Sequence, residues 1–283
     1  MYFLNRNVRV LEVSTRAVLN MTSWVLSAAL FWGGTAKAQV NLSPIKIEIN
    51  SNRGQAQGVI NITNSSDETF RARVYAEAFT YDRDLGFQVL TSSPSDLRPY
   101  LQFSPRELVV PARTTRRIRL NARLAPSLPN GEYRAMIFTE PLQANIVTDG
   151  NGNTTRIITR VGSALFVRKG DIRPNLLVGN TRWDGKAKKL QLLVSNTGNI
   201  SVYPSIKWTL RQGNTIVKTG ELMSVGIVPE SERNLILNSS KKNELNLDPG
   251  KYQLSGELIW GEDNNSNNNK KTPFNFDLII PAH

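Results

Sequence analysis

A chain of 283 residues with 40% hydrophobic and 20% charged residues is long enough for two domains and too apolar for a disordered polypeptide. It has no cysteine and one histidine, the terminal His283, which excludes disulfide frameworks, thiol chemistry, His/Cys metal clusters and histidine-based triads. The formal net charge of +12 directs attention to acidic or polyanionic partners.

Residues 1–38 read as a secretory leader. Arg6, Arg9 and Arg16 precede an uncharged apolar stretch at 21–32, and Ala36-Lys37-Ala38 supplies the small residues of a cleavage site before Gln39. The stretch is short for a membrane span, so cleavage after Ala38 is expected ahead of an uncleaved anchor. The leader carries +3 (Arg6, Arg9, Arg16 and Lys37 against Glu12), which leaves +9 on an exported, periplasmic product with no transmembrane segment.

After Gln39 the pattern is one of short, β-branched, alternating runs between turn clusters, the signature of antiparallel sandwiches. Ile45, Ile47 and Ile49 alternate with Lys46 and Glu48, and a second run covers 59–62. A third, at 70–79, puts Ala72, Val74, Ala76 and Ala78 on one parity. Pro105 and Pro111 bracket Leu108-Val109-Val110, which suits an edge or sheet-switching segment, since proline cannot donate to an inner ladder. The run Arg113-Thr114-Thr115-Arg116-Arg117-Ile118-Arg119 is the densest basic patch. As a strand it presents Arg117 and Arg119 to solvent, either as the guard of a sheet edge or as a polyanion site without stacking aromatics. Tyr133, Ala135 and Ile137 share a parity after the Pro129-Asn130-Gly131 turn, and 156–168 reads as one long strand.

Gly170-Asp171-Ile172-Arg173-Pro174 reads as a linker, giving domains at 39–170 and 171–283. Beyond it, Leu190, Leu192 and Val194, then Ile206, Trp208 and Leu210, mark the strands of a second sandwich. Further runs at 216–222, 252–260 and 274–280 complete it, with an asparagine-rich hairpin tip at 264–271. Runs at this spacing fit the seven-strand count of an immunoglobulin-like sandwich, without its cysteine pair.

Catalytic chemistry has little to work with. Acidic residues are scattered with no pair set out as acid and base, and no Gly-rich phosphate loop opens a helix. Asp149-Gly150-Asn151-Gly152-Asn153 begins like a calcium loop, but Thr154 and Arg160 stand where such a loop needs glycine and a bidentate glutamate. The chain is therefore expected to be no enzyme, to need no cofactor or metal and to bind no nucleic acid.

Four segments, in order, resemble the PapD-like periplasmic chaperones of pilus assembly. They are Leu42-Ser43-Pro44-Ile45-Lys46-Ile47 behind the leader, Phe103-Ser104-Pro105-Arg106-Glu107-Leu108-Val109-Val110-Pro111-Ala112, Leu128-Pro129-Asn130-Gly131-Glu132-Tyr133-Arg134, and Leu165-Phe166-Val167-Arg168. The resemblance implies two immunoglobulin-like sandwiches set as a boomerang around a cleft. It implies a pilin-like exported subunit as client, held by β-strand donation, and an outer-membrane usher as a further partner. Lys46 falls on the family's first-strand cation, there usually an arginine that holds a client carboxylate, and Ala164 stands where the family has its second cation. Arg168 matches an arginine that fixes the interdomain angle, with Glu132 and Asp248 as its implied acids. The donor stripe becomes Thr155, Ile157, Thr159 and Val161, of which Ile157 and Val161 are bulky. A structural or adhesive sandwich protein that loads no client is the second reading, supported by Ala164 and the thin stripe. A carbohydrate-acting enzyme working through carboxylates is the third.

Overall fold

The computed structural model describes residues 40–150, 152–223, 226–237, 245–261 and 269–281. The expected leader, most of the asparagine-rich tip and His283 lie outside the described residues. In chain order the first half forms β1 (Val40–Ser43), β2 (Lys46–Asn50), β3 (Gln55–Asn64), β4 (Phe70–Asp82), β5 (Gly86–Leu90) and β6 (Leu101–Ser104). It continues with β7 (Glu107–Val110), β8 (Thr115–Arg123), β9 (Gly131–Pro141), β10 (Asn145–Thr148), β11 (Thr154–Ile157) and β12 (Val161–Lys169). One sheet runs β1-β3-β8-β6; the facing sheet runs β2-β12-β9-β4-β5 with β7 also on β4. Ile60, Ile62, Ile118 and Leu120 of the first sheet pack against Val74, Ala135, Ile137, Leu165 and Val167 of the second.

Proline sits where the chain changes sheet. Between β1 and β2 the chain passes from one sheet to the other through Ser43-Pro44, and between β6 and β7 through Ser104-Pro105. The bracketed segment, expected to be an edge or a sheet switch, leaves one sheet for the other and pairs with β4 alone, with Pro105 and Pro111 outside the ladder of β7.

The second half forms β13 (Leu176–Asp184), β14 (Lys189–Asn196), β15 (Ser205–Gln212), β16 (Thr215–Leu222), β17 (Ser231–Leu237), β18 (Gly250–Trp260) and β19 (Lys270–Ile280). Its sheets, β13-β14-β17 and β16-β15-β18-β19, close over Leu190, Leu192, Val194, Ile206, Trp208, Leu210, Leu254 and Leu258. Trp208 is paired with glycine on both sides, Gly220 and Gly256, and a Cβ at Gly220 would come within 2.6 Å of the indole. The molecule is thus all-β, two sandwiches in sequence. No helix among the described residues is long and apolar enough to cross a membrane.

Each sandwich carries the same corner. The Tyr133 hydroxyl donates to the Pro129 carbonyl at 2.9 Å, and the Tyr252 hydroxyl donates to the Asp248 carbonyl at 2.9 Å. A tyrosine at the start of a strand thereby fixes the turn that delivers it.

Two expectations change, and one feature adds to them. The run at 156–168 is not one strand: it divides into β11, which pairs with β10, and β12, which pairs with β9 and β2. Thr139 opposes Val161 and Asn145 opposes Ile157, so six positions on one side match four on the other and the ladder breaks between them. β8 is no edge strand at 119–122, where β3 and β6 flank it on both sides. Finally, β9 is buried on both faces over most of its length, because its outer face meets the second sandwich.

Candidate functional site

The parallel pairing of β2 with β12 sets Lys46 opposite Ala164 and Asn50 opposite Arg168. Lys46 Nζ lies 3.1 Å from Glu48 Oε2 and 3.8 Å from the centroid of the Tyr203 ring, which belongs to the second sandwich. Glu48 reaches onward, its Oε1 accepting from Arg168 Nη2 at 2.8 Å. Arg168 Nε donates to Glu132 Oε2 at 3.3 Å, and Glu132 accepts from the Ser201 amide at 3.1 Å and from the Ser201 hydroxyl. A continuous chain of charge therefore runs Lys46–Glu48–Arg168–Glu132 and ends on the backbone of the second sandwich. Burial pushes the Glu132 carboxyl up from its ordinary range, against the pull of the Ser201 hydrogen bonds and of Arg168 and Arg134.

Arg168 has two acidic partners here, Glu132 and Glu48, and Asp248 is not one of them. The assignment of Asp248 to that ion pair is corrected by its place in the tyrosine corner of the second sandwich, where its carbonyl receives Tyr252. Glu48 lies two residues from Lys46 on the same face of β2, which brings it within reach of both cations.

Around this chain lies an aromatic layer. Phe79 packs on Tyr81, Phe87 and Phe166 at centroid distances of 5.7, 5.7 and 5.8 Å, and Phe166 meets Tyr203 edge-on at 6.3 Å. Val228 of the second sandwich joins the cluster, and burial pushes the Tyr203 hydroxyl far up. Gly226 permits the approach, since a Cβ there would lie 2.9 Å from the Tyr203 ring and 3.1 Å from that of Tyr81. A second clasp joins the β4–β5 turn to β17: Arg83 Nη1 lies 2.6 Å from Glu232 Oε1, and Asn234 donates to Asp84 Oδ1 at 2.6 Å and to the Arg83 carbonyl at 3.0 Å. Sequence reasoning passed over Ser201, Tyr203 and this clasp. The available signal was Ala135-Met136-Ile137-Phe138 and Ala164-Leu165-Phe166-Val167, apolar on both parities where a half-exposed strand would alternate.

On β12 two faces separate cleanly. Val161, Leu165 and Val167 belong to the core of the first sandwich, and Ala164, Phe166 and Arg168 face the junction. Continuing backwards, Arg160 lies over the Phe138 ring at 4.1 Å and donates to the Tyr75 hydroxyl at 3.0 Å. Tyr75 donates to Glu140 at 2.6 Å, and Arg73 closes the cluster on the same carboxylate. Arg160 therefore stands near the junction-side face, just before β12 and four residues before Ala164.

The donor stripe runs back from the first residue of β12 into β11. Val161 packs on the core, Thr159 is half-buried, and Ile157 is 40% exposed. Ile158 and Ile146, 56% and 64% exposed, add further apolar surface to the β10–β11 hairpin. Among the described residues β11 pairs with β10 alone, and β2 joins β12 only from Ala164 onward. The opposite backbone edge of 154–162 is thus without a strand partner.

No family model matches the chain, and no curated protein matches it. Solved structures do. The chain is similar to the class 5 fimbriae chaperone CfaA, with 14% identity, TM-score 0.46, and coverage of 86% of this chain and 100% of that one. It is similar to the YadV chaperone, with 14% identity, TM-score 0.47, and coverage of 85% and 100%. It is also similar to the Salmonella enterica SafB chaperone in complex with the SafA pilin, with 12% identity, TM-score 0.41, and coverage of 93% and 100%.

Proposed function

We propose that the protein is a periplasmic chaperone of the PapD-like kind, which holds exported, pilus-like subunits by lending them a strand. The observation that carries this reading is the open backbone edge at 154–162, with Ile157 exposed at the end of β11. A subunit lacking a strand can pair with that edge through backbone hydrogen bonds and take Ile157 and its neighbours into its groove. Thr159 lengthens the stripe, and Val161 anchors it to the lending sandwich. Lys46 keeps an ammonium donor for a client carboxylate as a point charge, without the bidentate fork of arginine. Arg168 and Glu132 hold the two sandwiches in the relation that frames the site. The leader at 1–38 and domains at 39–170 and 171–283 belong to the same reading, as does a non-catalytic role.

The test is retrieval of the mature chain from periplasm together with what it holds. A small exported β protein is expected with the wild type, depleted at least tenfold with Ile157→Asp, a substitution at an exposed position that spares the fold. Equal recovery with both refutes the donated strand. No client with either favours the structural or adhesive reading, to which the missing second cation at Ala164 already points.

A further inference from the structure

The charged face on the far side of the first sandwich has no part in client holding as proposed above. The four strands β1, β3, β8 and β6 contain no Asp or Glu at all, while β8 carries Arg116, Arg117, Arg119 and Arg123. Ile118, Leu120 and Ala122 point into the core, which leaves Arg117, Arg119 and Arg123 exposed on the outer face. The row is about 20 Å long at the rise of an extended strand. Their cross-strand neighbours on β3 are Asn61, Val59 and Gln55, none able to neutralise them, and no ion pair among the described residues involves any of the three.

Two ordinary explanations fail. Charges guard sheet edges against pairing, but β6 flanks β8 at 119–122, so Arg119, at the centre of the row, stands on backbone already paired on both sides. A protein-docking face needs apolar or aromatic anchors at its centre, and here Val59 stands alone among Gln, Asn, Ser and Thr. A polar, flat, acid-free row of guanidinium groups instead matches closely spaced phosphates, which arginine grips as a fork.

The geometry points to a membrane-docking face: Arg117, Arg119 and Arg123 seat this sheet on an anionic phospholipid surface. The inference does not depend on the chaperone reading. Cosedimentation of the mature chain with vesicles of phosphatidylcholine, with and without phosphatidylglycerol, tests it. Wild type is expected to bind only the phosphatidylglycerol vesicles and to release in high salt. The triple Arg117→Gln/Arg119→Gln/Arg123→Gln variant is expected to bind roughly 100-fold more weakly, each arginine near such a surface being worth about fivefold. The charge-matched triple Arg182→Gln/Lys218→Gln/Lys251→Gln, altered at exposed positions of the second sandwich, is expected to bind like wild type. Failure of wild type to bind, unchanged binding by the first triple, or equal loss in both triples overturns the inference, the last by assigning the effect to net charge. Should the first triple not fold, the single Arg119→Gln variant carries the test with about a fivefold loss.

Discussion

The two sheets of the first sandwich dispose of their charges in opposite ways. On the sheet that meets the second sandwich, Lys46, Arg73 and Arg168 each face a carboxylate within 3.1 Å, and the surface between them is aromatic. On the outer sheet the strands hold arginines and no acid. Burial is the difference for Arg168 and Glu132, whose side chains are 17% and 0% exposed. A charge taken out of water is costly unless it is paired or hydrogen-bonded, as Arg134 is to the Phe79 carbonyl, whereas a solvated arginine needs no partner. The paired sheet therefore fixes geometry, and the unpaired sheet is left free to meet something outside the molecule.

Glu132 offers the largest lever on that comparison. Glu132→Ala strips Arg168 of one acid and leaves the Ser201 amide without an acceptor in a buried setting, at an expected cost of about 3 kcal/mol in urea unfolding. Its protonation gives a graded version of the same test. Because burial holds this carboxyl above its ordinary value of 4.5, the folded protein binds the proton more tightly than the unfolded chain does. That contribution is complete below about pH 4.5 and is lost as pH rises through the raised value. The stability of wild type relative to Glu132→Gln should therefore fall with rising pH, as followed by urea midpoints across a pH series. The outer sheet should show the smallest effect: the Arg117→Gln/Arg119→Gln/Arg123→Gln variant is expected to stay within about 0.5 kcal/mol of wild type in the same unfolding measurement. A larger loss would mean that these arginines stabilise the fold, and the contrast between the sheets would fail.

Much of the architecture was legible in the sequence wherever one face of a strand meets solvent. Ile118 and Leu120 against Arg117 and Arg119, or Leu190, Leu192 and Val194 on β14, alternate as a half-buried strand must. Legibility ended where the outer face is covered too. β9 carries Glu132, Arg134, Met136 and Phe138 on the parity that looked exposed, and all four are buried against the junction. Strand order was hidden as well: the interior place of β8 follows from non-local pairing with β3 and β6, which no local pattern encodes. The break between β11 and β12 falls at Ile158-Thr159-Arg160, with no glycine or proline to announce it. Of the site, Lys46, Arg168 and Glu132 were within reach through motif resemblance. Glu48, Ser201 and Tyr203 were not, because they enter by position in space.

Amide hydrogen exchange across 154–162 in the complex retrieved from periplasm, compared with the free chain, tests the lent strand most directly. The account predicts strong protection of these amides on client binding, with the amides of β8 unchanged. Protection confined to other strands, with 154–162 exchanging as in the free protein, would contradict it.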